Sequence, residues 1–333
     1  MTRLGVPPFI CPRCRGPVQH APQAYRCEPC RATYPVVAGV PDFRVAPDPW
    51  IGLEDDRAKA LRLEVATAGL SFEESVRAYW AMTPATPQPL AARYTTHVIK
   101  ARDRSAEWLA RLPVESDPDE ETLWLDLGCG TGDLIAAATA VGRRVVGIDI
   151  ALRWLVIARR RPELAAACLV CCGAEALPFP AACFTRAHAL GLLEHCPAPD
   201  PVLREARRVL RPGGRIFVRT VNRYTVLREP HVLIWGVGFV PRRWADRYVK
   251  WRSGRGYEHH RPLSKRELAG ALRRAGFRRL TVGAAPALAA EVERLGTVGR
   301  RLSTVYAAAR RTPVVERALA WVAPLLEASG ATA

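Results

Sequence analysis

Lysine is nearly absent from this 333-residue chain, occurring only at positions 59, 100, 250 and 265, so its 49 basic residues are almost all arginine. Against 32 acidic residues they leave a formal net charge of +17. Guanidinium groups pair bidentately with phosphates, which makes nucleic acid or an anionic lipid head group a candidate partner. The abundance of Ala, Pro and Gly gives the arginine a second origin, a coding sequence rich in G and C. Long apolar runs are also lacking. Val232 to Val240 is the longest that matters, about half of the roughly 18 residues that suggest a membrane span. The first thirty residues have no apolar h-region behind a basic start, and Pro7, Pro8 and Cys11-Pro-Arg-Cys14 interrupt them, against a secretory signal. A cytoplasmic protein is expected, at most peripheral to a membrane.

In a reducing compartment, ten cysteines are metal ligands or buried small side chains before they are disulfides. Cys11-Pro-Arg-Cys14 and Cys27-Glu-Pro-Cys30 form two C-x-x-C pairs twelve residues apart. Two such knuckles on facing turns bring four thiolates to tetrahedral geometry around Zn²⁺, with no open position for a substrate, so this site is expected to be structural. So short a segment cannot bury enough apolar surface to fold alone, and the metal replaces a core. Four thiolates around one zinc would lower the net charge to about +15. The surrounding Cys11-Pro-x-Cys-x-Gly-Pro, Tyr25 and Tyr34-Pro-Val-Val-Ala-Gly-Val-Pro-Asp-Phe43 resemble the zinc-ribbon family whose stand-alone members activate methyltransferases and whose fused members precede methyltransferase domains.

Residues 50–112 carry helical patterns predicting two or three helices. Ser71 with Glu74 fits a capping box; Phe72, Val76, Tyr79 and Trp80 recur at helical spacing; the Pro-rich stretch 83–89 stops the helix. The pattern resumes from Leu90 to Leu112, before an acidic loop at 115–121. Tyr79, Tyr94 and His97 are either core or parts of a cap over a cleft.

Leu123-Trp-Leu-Asp-Leu-Gly-Cys-Gly-Thr-Gly-Asp133 predicts a buried strand, a glycine turn and a helix from Leu134 to Val141. A second strand, Arg144 to Ile148, ends in Asp149. Glycines let backbone approach a nucleoside, and an acid at the tip of the next strand accepts its ribose hydroxyls. A dinucleotide fingerprint needs a third glycine at position 133, where this chain has an aspartate that would repel a pyrophosphate at the helix N-terminus. Asp126-x-Gly128-x-Gly130-x-Gly132 instead resembles the signature of class I S-adenosylmethionine (SAM)-dependent methyltransferases, whose ligand carries a sulfonium and an ammonium that carboxylates favour.

Gly173-Ala-Glu-Ala-Leu-Pro-Phe-Pro180 is similar to the adenine-contacting segment of the methyltransferase type 11 group. That group has Asp, bound to the adenine amino group, where this chain has Gly173; backbone at Ala174, or Glu175, is the substitute. A fourth strand from Ala187 to Leu193, Glu194-His195, and Leu203 to Gly214 continue the resemblance, with Arg215 to Val221 a fifth strand. The resemblance implies an α/β fold: a Rossmann-like seven-stranded, mostly parallel sheet with helices on both faces, plus the small N-terminal zinc ribbon. It assigns Asp126, Gly128, Gly130, Gly132, Asp149, Ile150, Ala174 and Glu175 to SAM, and Cys11, Cys14, Cys27 and Cys30 to zinc. The expected parts are a ribbon at 1–46, a helical linker or cap at 47–118, a methyltransferase domain at 119–284 with an insertion at 222–262, and an extension at 285–333. Leu280 to Gly283 would be the sixth strand and Ala320 to Leu326 would supply the last.

Methyl transfer from a sulfonium is an in-line displacement, accelerated by holding the nucleophile close and aligned. An oxygen or nitrogen nucleophile can also need a base, for which His195, after the fourth strand, is the candidate, with His231 behind it. Cys168, Cys171 and Cys172 fall on the third strand, where residues three apart face opposite sides, as buried thiols rather than a redox pair. In 222–262, apolar and aromatic residues beside clustered cations describe a packed lid with a basic rim or an interfacial membrane segment. Quinone-pathway methyltransferases, which the domain resembles, place membrane-contacting insertions there. The leading expectation is methyl transfer to a small-molecule or lipid-linked acceptor, with an anionic membrane surface as partner. The alternative is an rRNA or tRNA base methyltransferase, since ribosomal guanine methyltransferases also pair an N-terminal zinc site with this core; the chain has no Asn-Pro-Pro-Tyr-type base-handling motif.

Overall fold

The computed structural model describes residues 6–84, 86–112, 122–293 and 296–333; the acidic stretch 115–121 and the expected border at 118/119 lie outside them. The chain divides into two compact units, 1–185 and 186–333.

The first unit opens with an antiparallel sheet of β1 (Val18–Ala21), β2 (Ala24–Cys27), β3 (Thr33–Val37) and β4 (Val40–Pro41). Four helices follow, rather than two or three: α1 (Leu53–Ala66), α2 (Phe72–Ala81), α3 (Gln88–Ile99) and α4 (Ala101–Ala110). Periodicity alone did not reveal the extra break, because α3 and α4 are separated only by Lys100 at φ −83°, ψ 6°, with no proline or glycine to mark it. The Ser71–Glu74 capping box forms. Beyond it come β5 (Leu123–Leu127), α5 (Asp133–Thr139), β6 (Arg144–Asp149), α6 (Leu152–Ala158) and β7 (Cys168–Cys171), the three strands pairing in parallel. One apolar core joins Val37 and Val40 of the small sheet to Leu63, Val76 and Tyr79 of the helices and to Trp124, Ile135, Leu152 and Leu155.

Strand β8 (Phe184–Leu190) crosses into the second unit, which holds α7 (Pro199–Val209), β9 (Leu210–Val221), α8 (Arg242–Ser253), α9 (Lys265–Arg274), β10 (Arg278–Ala284), α10 (Ala289–Val292), α11 (Thr297–Ala309), α12 (Pro313–Val322) and β11 (Leu325–Ala331). β8 ends three residues before the predicted Leu193, because Gly191 turns the chain at φ +72° and Leu193–His195 form a short helical turn. The last strand begins at Leu325, since Ala320 belongs to α12. The seven strands are ordered β10-β11-β9-β8-β5-β6-β7, a mixed sheet in which β11 runs antiparallel to β9 and β10. This is the expected Rossmann-like arrangement. Among the described residues no helix is long and apolar enough to cross a membrane.

Strand β7 closes one end of that order, and an unpaired edge invites association. Here the chain leaving β4 covers it: Asp42 makes a parallel bridge to Cys171, and the Phe43 amide donates to the Cys171 carbonyl at 2.7 Å. A buried ion cluster fastens the same stretch. Arg44 donates two hydrogen bonds to the Asp42 carboxylate, at 2.8 Å each, and one to Asp56 of α1 at 2.7 Å. Arg153 of α6 donates to Asp48 at 2.8 Å and Asp56 at 2.9 Å, and Arg57 donates to Asp42 at 2.7 Å. Asp56 also accepts the Leu152 amide at 3.0 Å, capping the start of α6. Three arginines thus face three aspartates, neutral as a set. Burial opposes ionisation of Asp42, but Arg44 and Arg57 outweigh it and hold its carboxyl below the ordinary aspartate range.

Removing one partner from a buried pair leaves an uncompensated charge, at a cost of about 3–5 kcal/mol. Asp56→Ala is therefore expected to lose about that much unfolding free energy in a denaturant titration; a loss below 1 kcal/mol, about the value of an exposed pair, would contradict the cluster's role. The contribution of Asp42 is complete above its unfolded value near 3.9 and is lost as pH falls through its lower folded value.

Candidate functional site

The carboxyl end of β5 delivers Asp126 and then a turn in which Gly128, Gly130 and Gly132 stand at φ +74°, +50° and +73°. The amides of Gly128 and Cys129 both donate to the Ile148 carbonyl, at 2.8 and 2.9 Å, pinning the turn to the end of β6. A Cβ at Gly130 would meet nothing within 4 Å, whereas one at Gly132 would lie 2.3 Å from Leu164 Cδ2. Gly130 therefore leaves open space beside the backbone. Gly132 is required by packing.

Three carboxylates surround the turn. Asp149 accepts the Gly130 amide on Oδ2 and the Ala151 amide on Oδ1, both at 2.8 Å, which leaves lone pairs on each oxygen for a ligand's hydroxyls. Asp133, first residue of α5, accepts Ser105 Oγ of α4 at 2.5 Å. Burial raises the Asp126 carboxyl well above the usual carboxylate range, and the charges of Asp133 and Asp149 raise it further. Burial also raises Asp149, against its two amide donors. So acidic a cleft suits a cation and disfavours a pyrophosphate. Ile150 follows Asp149, with its carbonyl taken by Arg44 Nη1 at 3.1 Å.

In the segment 173–180, Glu175 lies against the position where the type 11 group has an aspartate. A Cβ at Gly173 would fall 2.3 Å from Glu175 Oε1 and 2.8 Å from Oε2. The Glu175 carboxylate thus folds back over position 173, into the space where an aspartate side chain there would begin. Ala174 between them is buried. The small N-terminal sheet supports this segment from outside: the Ile10 amide donates to the Pro178 carbonyl and Arg15 Nη1 to the Leu177 carbonyl, both at 3.0 Å, and Phe9 packs on Phe179 with ring centroids 5.8 Å apart.

Of the candidate cap residues, Tyr79 is buried in the core against Trp154, Tyr94 stacks on Trp80, and the His97 ring lies 3.2 Å from Arg104. Cys171 and Cys172 are buried and Cys168 partly so, as read from the sequence.

The Cys11, Cys14, Cys27 and Cys30 sulfurs all lie within 4.8 Å of one another. Cys11 and Cys30 are 3.5 Å apart, Cys14 and Cys27 3.4 Å, with no disulfide formed. A tetrahedral zinc with bonds near 2.3 Å separates its sulfurs by about 3.8 Å, so the four fit that ion. Tyr34 Oη lies 3.1 Å from Cys11 Sγ, placed to orient it.

His195 lies in the turn after β8, in the second unit, and shares its surroundings with two other histidines. Its ring centroid is 4.8 Å from that of His231 and 5.2 Å from that of His260, which are 4.5 Å from each other. Burial opposes protonation of His231, but Glu229, bonded to its Nδ1 at 2.5 Å, raises it above the ordinary histidine range. Burial lowers His195, and lowers His260 to about 3, where neighbouring histidines add to it.

Sequence reasoning missed Arg44, Asp56, Ser105 and His260. None belongs to a local motif: Arg44 bonds its neighbour Asp42 but also Asp56 and the Ile150 carbonyl 106 residues on, and the other three meet residues of distant stretches. For His260 the signal was the histidine pair at 259–260 closing the insertion.

A family model described as "Methyltransferase domain" matches residues 125–218. The ubiquinone/menaquinone biosynthesis C-methyltransferase of Acidiphilium cryptum is 35% identical over 183 residues, 52% of this chain and 73% of that protein. The ubiquinone biosynthesis O-methyltransferase of Idiomarina loihiensis is 31% identical over 147 residues, covering 43% of this chain and 56% of that enzyme. Among solved structures, an S-adenosylmethionine-dependent methyltransferase of Mesorhizobium loti aligns with a TM-score of 0.47 at 22% identity, over 69% of this chain and 99% of that one. The acidic glycine turn, the domain match and a relative covered over nearly three quarters of its length agree: the chain belongs to the SAM-dependent methyltransferases.

Proposed function

We propose that Asp126, Gly128, Gly130, Gly132, Asp149 and Ile150 hold SAM at the glycine turn, with Ala174 and Glu175 on its adenine, for methyl transfer to an oxygen or nitrogen of a small-molecule or lipid-linked acceptor. The observation that carries this reading is the gathering of Asp126, Asp133 and Asp149 around one turn, where each raises the cost of ionising Asp126. A ligand with a sulfonium and an ammonium relieves that repulsion. Bound there, SAM supplies an electrophilic methyl group. The protein's share is to orient it: Asp149 on the ribose, Gly130 giving close approach, and Glu175 standing in for the aspartate absent at 173.

The four cysteines hold a structural Zn²⁺ in this reading, and the ribbon, of the kind that activates methyltransferases, acts by bracing the segment 173–180 through Ile10 and Arg15. A quinone-like acceptor is favoured because the Acidiphilium cryptum and Idiomarina loihiensis relatives are named for ubiquinone biosynthesis. The insertion supports access from a lipid surface. Val232, Ile234, Val237 and Val249 make its small core, while Trp235, Phe239, Trp244 and Trp251 are exposed. Arg243 and Arg247 flank Trp244, and Arg252 flanks Trp251, the pairing of aromatic and cationic groups expected of an interfacial segment.

Calorimetric titration is expected to show SAM binding that Glu175→Ala weakens by roughly tenfold or more, one hydrogen bond to a charged group being worth about 1.5–3 kcal/mol. Adding Gly173→Asp to that variant should restore affinity, since the space above 173 is then free; wild-type affinity in Glu175→Ala would refute the adenine assignment. Because the cation favours ionised Asp126, whose carboxyl burial and the neighbouring carboxylates hold above the usual range, SAM should bind more tightly as pH rises through that raised value and should release protons on binding. S-adenosylhomocysteine, without the sulfonium charge, should respond less, and an equal response from both would contradict the electrostatic account. Anionic vesicles should sediment the protein at low salt, less so at high salt or in a Trp235→Ala, Trp251→Ala variant. No binding at low salt would remove the membrane from the proposal.

A further inference from the structure

We propose that His195, His231 and His260 form a second metal site, separate from the cysteines, for a divalent ion of the zinc type. One ligand-capable nitrogen from each histidine lies within 4.8 Å of the others. Imidazole nitrogens on a tetrahedral zinc stand about 3.3 Å apart, a closure that small side-chain rotations supply. Three imidazoles suit zinc, cobalt, nickel or copper rather than magnesium or calcium, which take oxygen ligands.

The three histidines come from separate stretches, two of which a backbone hydrogen bond joins. The Arg261 amide donates to the Glu194 carbonyl at 2.6 Å, joining the segment of His260 to that of His195. Glu194 is buried, and its carboxylate accepts Thr220 Oγ1 at 2.7 Å on β9. His231 is fixed by Glu229, also buried, whose Oε2 accepts the amides of His231 and Val232 at 2.8 and 3.0 Å while Oε1 takes the ring Nδ1–H. That bond sets the tautomer and leaves Nε2 of His231 for the ion, the carboxylate–histidine–metal arrangement found around protein zinc. Glu194 and Glu229 together bring two negative charges beside the three rings, matching a dication.

Three protein ligands leave a fourth position open, as in catalytic rather than structural zinc sites. The ligand it takes is an oxygen donor, water or an ionisable hydroxyl, whose proton the ion loosens toward neutral pH. His195 is then a ligand rather than a free base.

The test is a metal count on the full, untagged chain, loaded with excess cobalt or zinc and desalted. Two equivalents are expected. With cobalt, one should show the thiolate charge-transfer band of the cysteine site and the other only ligand-field bands. His231→Asn and His260→Asn should each remove the second equivalent and leave the thiolate band intact. Glu229→Gln, a change at a positioning residue, should retain both equivalents at saturation and weaken the second by about 10–100-fold. One equivalent in the wild-type chain, carried by the cysteines, would overturn the proposal, as would a second equivalent that survives both histidine variants. Should those variants fail to fold, the wild-type count and cobalt spectrum still decide.

Discussion

Arg44 is the point at which three distant stretches of the first unit are held together. Its guanidinium spans Asp42, leaving the small sheet; Asp56, in the first turn of α1; and the carbonyl of Ile150, just past the acid at the tip of β6. A buried cation has few ways of being stable, and here the donors in use end on the Asp42 and Asp56 carboxylates and the Ile150 carbonyl. Bidentate pairing to Asp42 requires a planar fork, which lysine does not offer. The position of the glycine turn relative to the N-terminal region thus depends on ion geometry as well as on the apolar core behind it.

That dependence was invisible in the sequence. Asp42, Arg44, Asp48 and Asp56 look like an ordinary run of surface charge in a Pro-rich stretch, because Arg153, the partner of Asp48 and Asp56, lies 105 and 97 residues on. Local signals were legible where the physics is local. The Ser71 box, the positive-φ glycines and the cysteine spacing are each fixed by a few neighbouring residues, and the structure has all three. Strand ends were less legible: β8 stops at a glycine inside an apolar run, and the last strand follows a helix whose Ala and Val suit either state.

Position 173 shows a third case, in which the sequence exposed a difficulty and only side-chain placement bears on it. A carboxylate is missing where the family has one, and Glu175 folds back over the gap. The histidines repeat the pattern on a larger scale, since 195, 231 and 260 share no motif and their rings meet across stretches far apart in the chain.

The cover on β7 has a consequence for self-association. The stretch at 42–43 completes an edge that the minimal α/β core leaves bare, and it is held by the Arg44 cluster and by a small sheet that shares its core with the helices. If that sheet loosens, the first surface uncovered is a row of unpaired backbone groups beside buried cysteines. Such an edge can pair with a second chain, so the first forty residues shield the α/β core from self-association as well as bracing the segment 173–180.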